Sequence, residues 1–215
     1  ALQQWEMARQ QDWGGLLLPN KIEIVSDRRI TDTEYGFTQR YTEAGSFPSV
    51  SGKTLIYSYP ISSLPNPDGS VWVVAYGSNE LLRYNVNGIV LDRVRGLEGF
   101  DRPVDIIRLS GGNLLVSESA GNRLSELDPA GKLLKHIGKK GRGTGELIGP
   151  QYLAEDSQGN IYVTDYGNNR VAKLNKDLEW QLSFLKPVDN NFDQNASFLP
   201  QKLVADVAGR VYVLA

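Results

Sequence analysis

The sequence predicts an all-β fold, a β-propeller built from four-stranded antiparallel blades. The first observation is a short phrase that recurs four times in the 215 residues, each time with a glycine nine residues after a proline and four residues before a valine. The second is that each copy reads as short apolar strands with period two, separated by turn residues. The third is the spacing of the prolines, which lie 43, 47 and 50 residues apart and so match the length of a propeller blade. The recurring glycines are Gly69, Gly112, Gly159 and Gly209, and the prolines are Pro60, Pro103, Pro150 and Pro200.

Residues 1–15 differ from the rest of the chain. They contain helix-forming residues, no β pattern, and Gly14 and Gly15 as a stop signal. We expect a short N-terminal helix that packs on the propeller, or the last helix of a helical domain upstream of Ala1. Residues 16–59 read as a degenerate β blade or a strand-rich lead-in, with "KIEIVSD", "YGFTQRYTE" and "KTLIYSY" as its candidate strands.

The four repeats predict the blades proper. We expect blades at residues 60–102, 103–149 and 150–199, and a partial blade at 200–215. The third shows the pattern most clearly, with "PQYLAED", "IYVTD", "RVAKLN" and "EWQLSFL" as successive strands. Glycine and asparagine tolerate the turn conformations between them.

The polar stretch "DYGNNRVAKL" in the third repeat could be a catalytic cluster or part of the framework. It has counterparts in "ESAGNRLSEL" and "AYGSNELLRY" of the preceding repeats. A turn that every blade needs is expected to recur, whereas a catalytic cluster is not, so we interpret these residues as structural turn pairs in which acid and arginine meet across a hairpin. The predicted turn residues are Asp165, Asn169 and Arg170 in the third repeat, and Glu118, Asn122 and Arg123 in the second.

The stretch "GPQYLAEDSQGNIYVTDYGNNRVAKLN" resembles the NHL repeat, and the first repeat is also similar to blades of the virginiamycin B lyase type. The resemblance covers about residues 60–215 and implies a propeller that most often has six blades. Six blades at this spacing need about 260–300 residues. We therefore expect an incomplete ring in this chain, cut short at its C-terminus.

Composition limits the chemistry. Without cysteine there is no thiolate nucleophile, disulfide or cysteine-bound metal, and this favours an extracytoplasmic, bacterial protein. The formal net charge of −2 disfavours nucleic acid as a partner. No apolar run approaches the roughly 20 residues of a membrane span.

Candidate metal ligands are few. His136 is the single histidine, and we expect it to be an ordinary surface residue of an outer strand. Some six-bladed relatives hold a metal in the central channel, and the resemblance allows Glu118, Asp165 and Asp206 to be nominated for calcium. No motif selects these three, so we predict no metal and no cofactor. The amidating lyases built on NHL repeats use several histidines and are unsupported here.

A basic cluster lies in "GKKGRGTG", residues 138–145. The stretch lacks the Gly-Lys-Ser/Thr step of a P-loop and is interpreted as a loop between blades. Loops between blades and loops between second and third strands share one propeller face. We predict an interaction face comprising Tyr76, Lys139, Lys140, Arg142 and Tyr166.

These observations favour a non-catalytic scaffold that binds a protein partner through loops on one face. One alternative is a calcium-dependent hydrolase of the lactonase or lyase type with a channel site. A second alternative is RNA binding through the basic loops.

Overall fold

A computed structural model describes residues 50–51, 54–55, 57–95, 99–186, 195 and 197–215. The chain divides into two compact units, residues 1–44 and 45–215, and every described residue lies in the second. The predicted N-terminal helix and most of the lead-in over 16–59 lie outside the described residues. Two short strands at the end of the lead-in, β1 (Val50–Ser51) and β2 (Thr54–Leu55), pair antiparallel.

Three four-stranded antiparallel sheets follow one another along the chain. The first contains β3 (Pro60–Pro65), β4 (Val71–Ala75), β5 (Glu80–Tyr84) and β6 (Val90–Val94). The second contains β7 (Pro103–Arg108), β8 (Leu114–Glu118), β9 (Arg123–Leu127) and β10 (Leu133–Ile137). A short parallel pair, β11 (Lys139–Lys140) and β12 (Glu146–Leu147), lies in the connection to the third sheet. The third contains β13 (Pro150–Glu155), β14 (Ile161–Asp165), β15 (Arg170–Leu174) and β16 (Trp180–Phe184).

A further pair, β17 (Lys202–Ala205) and β18 (Val211–Leu214), begins a fourth sheet. The described strands confirm the predicted all-β fold of four-stranded antiparallel blades. The described residues form no closed ring. Apart from a 3₁₀ turn at Tyr166–Asn168, this part of the chain contains no helix, and so none that could cross a membrane.

The first strands of the sheets are neighbours in chain order, β3 beside β7, β7 beside β13, and β13 beside β17. Between neighbouring sheets the alternate apolar residues of the strands pack face to face. One core cluster joins Trp72 and Leu81 of the first sheet to Leu114 and Leu127 of the second. A larger cluster joins the second sheet to the third.

A repeated turn sets the strand spacing. In five hairpins an Asp or Asn side-chain oxygen accepts hydrogen bonds of 2.9–3.0 Å from the backbone N–H groups two and four residues later. This side-chain turn explains the Asp/Asn that opens each predicted turn. The residue three positions on has a positive φ, and it is glycine everywhere except at Leu178, whose φ is 64°. The turn residues are Asn85, Asp128, Asp156, Asn175 and Asp206.

Candidate functional site: the linker face

One end of the sheets carries most of the predicted site residues. It is formed by the β4–β5, β8–β9 and β14–β15 turns together with the segments that lead into β3, β7 and β13. We call this end the linker face, and we call residues 138–149 the linker loop. Antiparallel strands place these turns and linkers together because both lie where second strands end and first strands begin.

In the third sheet, Asp165 and Arg170 bind the linker loop. Arg170 Nε lies 2.7 Å from Asp165 Oδ2, and the Asp165 side chain is fully buried. Asp165 Oδ1 accepts the backbone N–H of Ile148 at 2.7 Å, and Oδ2 accepts the side-chain amide of Asn168 at 2.8 Å. The other guanidinium nitrogens donate to the carbonyl oxygens of Arg142, Gly143 and Glu146. The ion pair therefore fixes both the turn and the linker backbone.

The second sheet repeats this arrangement with Glu118 and Arg123. Arg123 Nη2 lies 3.1 Å from Glu118 Oε2 and also donates to the carbonyl oxygen of Gly99 at 3.0 Å. Glu118 Oε2 accepts the backbone N–H of Asp101 at 2.7 Å. Each carboxylate thus receives a linker N–H and each arginine donates to linker carbonyl oxygens, which makes the pair a joint between a blade and the linker that precedes it.

In the first two sheets the asparagine of the turn joins the blade to the next linker. Asn79, Asn122 and Asn169 have φ of 54°, 53° and 53°, the left-handed conformation that asparagine tolerates better than most residues. Asn79 Oδ1 accepts the N–H of Arg102 at 2.9 Å, and Asn122 Oδ1 accepts the N–H of Gly149 at 3.1 Å. A single turn therefore holds linkers on both of its sides.

The first sheet departs from this pattern. Ala75 occupies the position of the acid, and Glu80 occupies the position of the arginine. The Glu80 side chain is fully buried and lies 2.6 Å from Arg95 Nε and 3.5 Å from Arg93 Nε. A negative charge thus replaces the positive charge at this position of the turn. The partners of Glu80 lie on β6 and just after it, rather than on the segment that precedes the blade.

The predicted basic residues lie on the linker loop. The side chains of Lys139, Lys140 and Arg142 are exposed. Lys139 Nζ lies 3.6 Å from Glu146 Oε1, and Glu146 Oε2 accepts the N–H of Gly143 at 2.8 Å. The hydrogen bond from Gly143, aided by Lys139, lowers the pKa of Glu146 below its ordinary value. A Cβ on Gly141 would lie 2.1 Å from Glu146 Oε2, so this close approach favours glycine.

The two predicted tyrosines are both partly buried. The Arg102 guanidinium carbon lies 5.0 Å from the centre of the Tyr76 ring, a cation–π distance, and the Tyr76 N–H donates to the carbonyl oxygen of Tyr59. Tyr166 begins the β14–β15 turn, and its backbone carbonyl oxygen accepts a hydrogen bond from the N–H of Asn169. Tyr76 and Tyr166 therefore contribute to the turns as well as to the surface.

His136 is not the ordinary surface residue that the sequence suggested. Its side chain is 26% exposed, and its Nδ1 lies 2.8 Å from the hydroxyl of the buried Ser125. Ser125 in turn donates to Glu118 Oε1. The serine lies between the histidine and the carboxylate, whereas a hydrolase triad places the histidine in the middle. The set therefore extends the Glu118 network.

The nominated metal ligands are not brought together. Asp165 and Glu118 end β14 and β8 on the linker face, while Asp206 lies in the β17–β18 turn at the opposite end of the strands. In the described part of the chain no three His, Asp or Glu side chains cluster in a way that could hold a metal ion.

Sequence reasoning missed a buried carboxylate on the first strand of the second sheet, Asp105. Its Oδ1 accepts the Ser62 hydroxyl at 2.6 Å, and its Oδ2 accepts the N–H of Leu153 at 3.0 Å, so it contacts the first strands of both neighbouring sheets. Burial raises the pKa of this carboxyl, and the hydrogen bonds from Ser62 and Leu153 partly oppose the rise. Lys202, whose Nζ lies 5.0 Å from the Tyr152 ring, opposes it weakly. The signal in the sequence that could have indicated this buried carboxylate was a single acidic residue within the apolar strand "PVDII".

The sheets and their joints define a class, the β-propellers with four-stranded antiparallel blades. The family model described as "NHL repeat" matches residues 147–174, which run from the end of the linker loop to the end of β15. NHL repeat-containing protein 3 of Homo sapiens is 28% identical over 129 residues, covering 52% of this chain and 37% of the human protein. The chain thus contains a stretch that matches the NHL repeat, within a succession of four-stranded propeller blades.

Solved structures show the same fold. Virginiamycin B lyase from Staphylococcus aureus, solved with quinupristin, has a TM-score of 0.58 at 16% identity and covers 72% of this chain and 48% of the lyase. Hydrazine synthase from Kuenenia stuttgartiensis has a TM-score of 0.56 at 14% identity, covering 78% of this chain and 45% of that chain. The chain thus spans less than half the length of these relatives, and the two functions that share the fold are unrelated.

Proposed function

We propose that this chain is a non-catalytic scaffold that binds a protein partner through loops on the linker face. The observation that carries the proposal is that the backbone of the linker loop is held by hydrogen bonds while its basic side chains are exposed. Arg170 and Asp165 bind its backbone from Arg142 to Ile148, whereas Lys139, Lys140 and Arg142 project into solvent.

A fixed loop with exposed side chains suits recognition because little conformational entropy is lost when a partner binds. The polar residues that first suggested catalysis are engaged in holding the linkers. Asp165 accepts hydrogen bonds from two neighbours besides Arg170, and Glu118 binds Asp101, Arg123 and Ser125. Their recurrence in two sheets supports a structural role.

The test is photo-crosslinking of the full protein in its source cell, with a matched pair of charge reversals. Arg142→Glu changes the linker loop, and Lys176→Glu makes the same change of charge in the exposed β15–β16 turn at the opposite end of the strands. We expect a protein that crosslinks to the wild type and to Lys176→Glu and is lost with Arg142→Glu. Loss with both variants, or with neither, contradicts binding through the linker face.

The alternative is a calcium-dependent hydrolase of the lactonase or lyase type. The observation in its favour is Asp105, a buried carboxylate on the first strand of the second sheet. A calcium site that forms only in the folded protein would raise the melting temperature as calcium is added. An unchanged melting temperature in both calcium and EDTA would remove this alternative, whereas calcium stabilisation lost in Asp105→Asn would replace the scaffold proposal.

A further inference from the structure

A small polar cavity of about 70 Å³ lies between the linker loop and β16. It is lined by residues 143–145 of the linker loop, by Arg170 of β15, and by Trp180 and residues 181–183 of β16. Sites for small-molecule ligands are usually about 300–1,000 Å³. The cavity is therefore of a size to receive the end of one side chain rather than a metabolite.

The cavity is built on fixed groups. Arg170 donates to the carbonyl oxygens of Gly143 at 3.1 Å and Glu146 at 2.7 Å, and Gly143 N–H is held by the Glu146 carboxylate. A Cβ on Gly145 would lie 3.3 Å from Trp180 Nε1, so the indole lies directly against this backbone. Arg170 occupies the Gly143 carbonyl oxygen and Glu146 occupies the Gly143 N–H, so neither backbone group is available to a ligand. No described residue accepts a hydrogen bond from the Trp180 indole N–H, which is therefore the donor that the wall can offer.

The lining itself carries no net charge, because Arg170 is its one charged member and the buried Asp165 carboxylate lies 2.7 Å from Arg170 Nε. The exposed positive charge next to the cavity comes from the linker loop. Arg142 directly precedes the cavity wall, and Lys140 lies two residues before it. Lys139 pairs with Glu146, but Lys140 and Arg142 form no ion pair with any residue that the structure describes.

We propose that the cavity and these two cations bind an acidic peptide segment of a partner protein. One Asp or Glu carboxylate enters the cavity beside Arg170 and Trp180, and a second acidic residue contacts Lys140 or Arg142. This inference rests on the proposed scaffold function and names the chemistry of its partner.

A peptide fits these features better than a nucleic acid. Single-stranded RNA is bound by aromatic platforms on which bases stack. On the linker face the Arg102 guanidinium already lies over the Tyr76 ring, and Tyr166 is partly buried. The cavity holds a carboxylate, whereas a stacked base needs an open ring face.

The experiment measures fluorescence polarisation of three labelled probes with the full chain at low salt. The probes are a peptide of eight residues that alternates glutamate and glycine, the same peptide with glutamine in place of glutamate, and an eight-residue uridine oligonucleotide. We expect the glutamate peptide to bind tightest and to weaken as salt rises, because its contacts are between charges.

The variants separate a built site from general attraction. We expect Arg142→Glu to weaken glutamate-peptide binding about tenfold. Trp180→Phe keeps an aromatic ring but loses the indole N–H, and we expect it to weaken binding about threefold. Lys176→Glu carries the same change of charge as Arg142→Glu and should leave binding unchanged. A circular dichroism melt of each variant checks that it folds.

Three results would overturn the inference. They are equal binding of the glutamine peptide, tighter binding of the uridine oligonucleotide, and an equal loss in Lys176→Glu. If a protein still crosslinks through the linker loop while the glutamate peptide fails to bind, this inference is wrong and the scaffold proposal stands. If no protein depends on Arg142, the scaffold proposal itself fails.

Discussion

The first and third sheets use the same turn position in opposite ways. In the third sheet a buried aspartate and the following arginine reach back to the linker loop that precedes the blade. In the first sheet a buried glutamate replaces the arginine and reaches forward to Arg95, whose side chain is 60% exposed. Both arrangements compensate a buried charge, but only that of the third sheet binds the backbone of the preceding linker.

The two sheets show that the fold requires a compensated buried charge at this turn but does not require a particular residue to supply it. A buried charge at the end of the second hairpin needs a partner, since an unpaired buried charge is costly. The partner can come from either side of the blade. Glu80 Oε1 is buried without a hydrogen-bond partner among the described residues, so the first sheet satisfies its carboxylate less completely than the third.

The largest expected effect comes from breaking the third joint. Asp165→Ala leaves Arg170, which is 13% exposed, without its partner and frees the Ile148 N–H. We expect a loss of about 3–5 kcal/mol in the free energy of unfolding, the usual cost of removing one partner of a buried ion pair. Denaturant unfolding followed by circular dichroism measures it.

Glu80→Ala is the matched comparison in the first sheet. Its partners Arg93 and Arg95 are 32% and 60% exposed and can be hydrated when the glutamate is removed. We expect a loss of about 1 kcal/mol. An equal loss in the two variants would show that the two turns are energetically alike and would contradict the expected difference between the first and third sheets.

The turn asparagines should have an intermediate effect. Asn122→Gly keeps the left-handed conformation and loses the hydrogen bond to Gly149, which we expect to cost about 1 kcal/mol. Asn122→Ala loses the same bond and adds the strain of a left-handed residue with a Cβ, about 1–2 kcal/mol more. Thermal melts of the two variants compare them, and if alanine were tolerated as well as glycine, the turn conformation would not matter for stability.

The smallest expected effect concerns Asp105 and depends on pH. Because burial raises its pKa in the folded protein, the folded state holds the proton more tightly than the unfolded chain. The contribution of Asp105 to the free energy of unfolding therefore falls as the pH rises from the ordinary aspartate pKa of about 3.9 to the raised pKa of the folded protein. Above the raised pKa the contribution stays low. Asp105→Asn removes this dependence.

We therefore expect Asp105→Asn to melt above the wild type at pH 7 and to lose this advantage as the pH falls below 4. Glu146 and Asp206 have lowered pKa values and act in the opposite direction, but they are common to both proteins and cancel in the difference. The check is the difference in melting temperature at several pH values. A variant that is less stable than the wild type at pH 7 would show that the ionised carboxylate is the favoured form.

Much of the fold could be predicted from the sequence because each blade is specified locally. Alternating apolar residues predict the strands of the third sheet to within a residue, and Asp156 with Gly159 predicts its first turn. Leu178 shows the limit of this reasoning, since a leucine at the glycine position gives no sequence signal of a positive φ, yet its side chain joins the core.

The joints were less predictable because their partners come from outside the hairpin. The sequence indicates that Asp165 and Arg170 face each other, but the carbonyl oxygens that Arg170 binds lie 24–28 residues earlier in the linker loop. Asp105 binds side chains and backbone 43 and 48 residues away in two other sheets. Such contacts follow from how blades are arranged around one another, which no single repeat encodes.

The most direct test of these joints is amide hydrogen exchange in the wild type and in Asp165→Asn, a variant of nearly the same shape. If the recurring polar residues hold the linkers, exchange of the Ile148 amide and of the rest of the linker loop should become faster in the variant, while strands β13 and β14 keep their protection. A linker loop that exchanges at the wild-type rate without the Asp165 carboxylate would contradict the account.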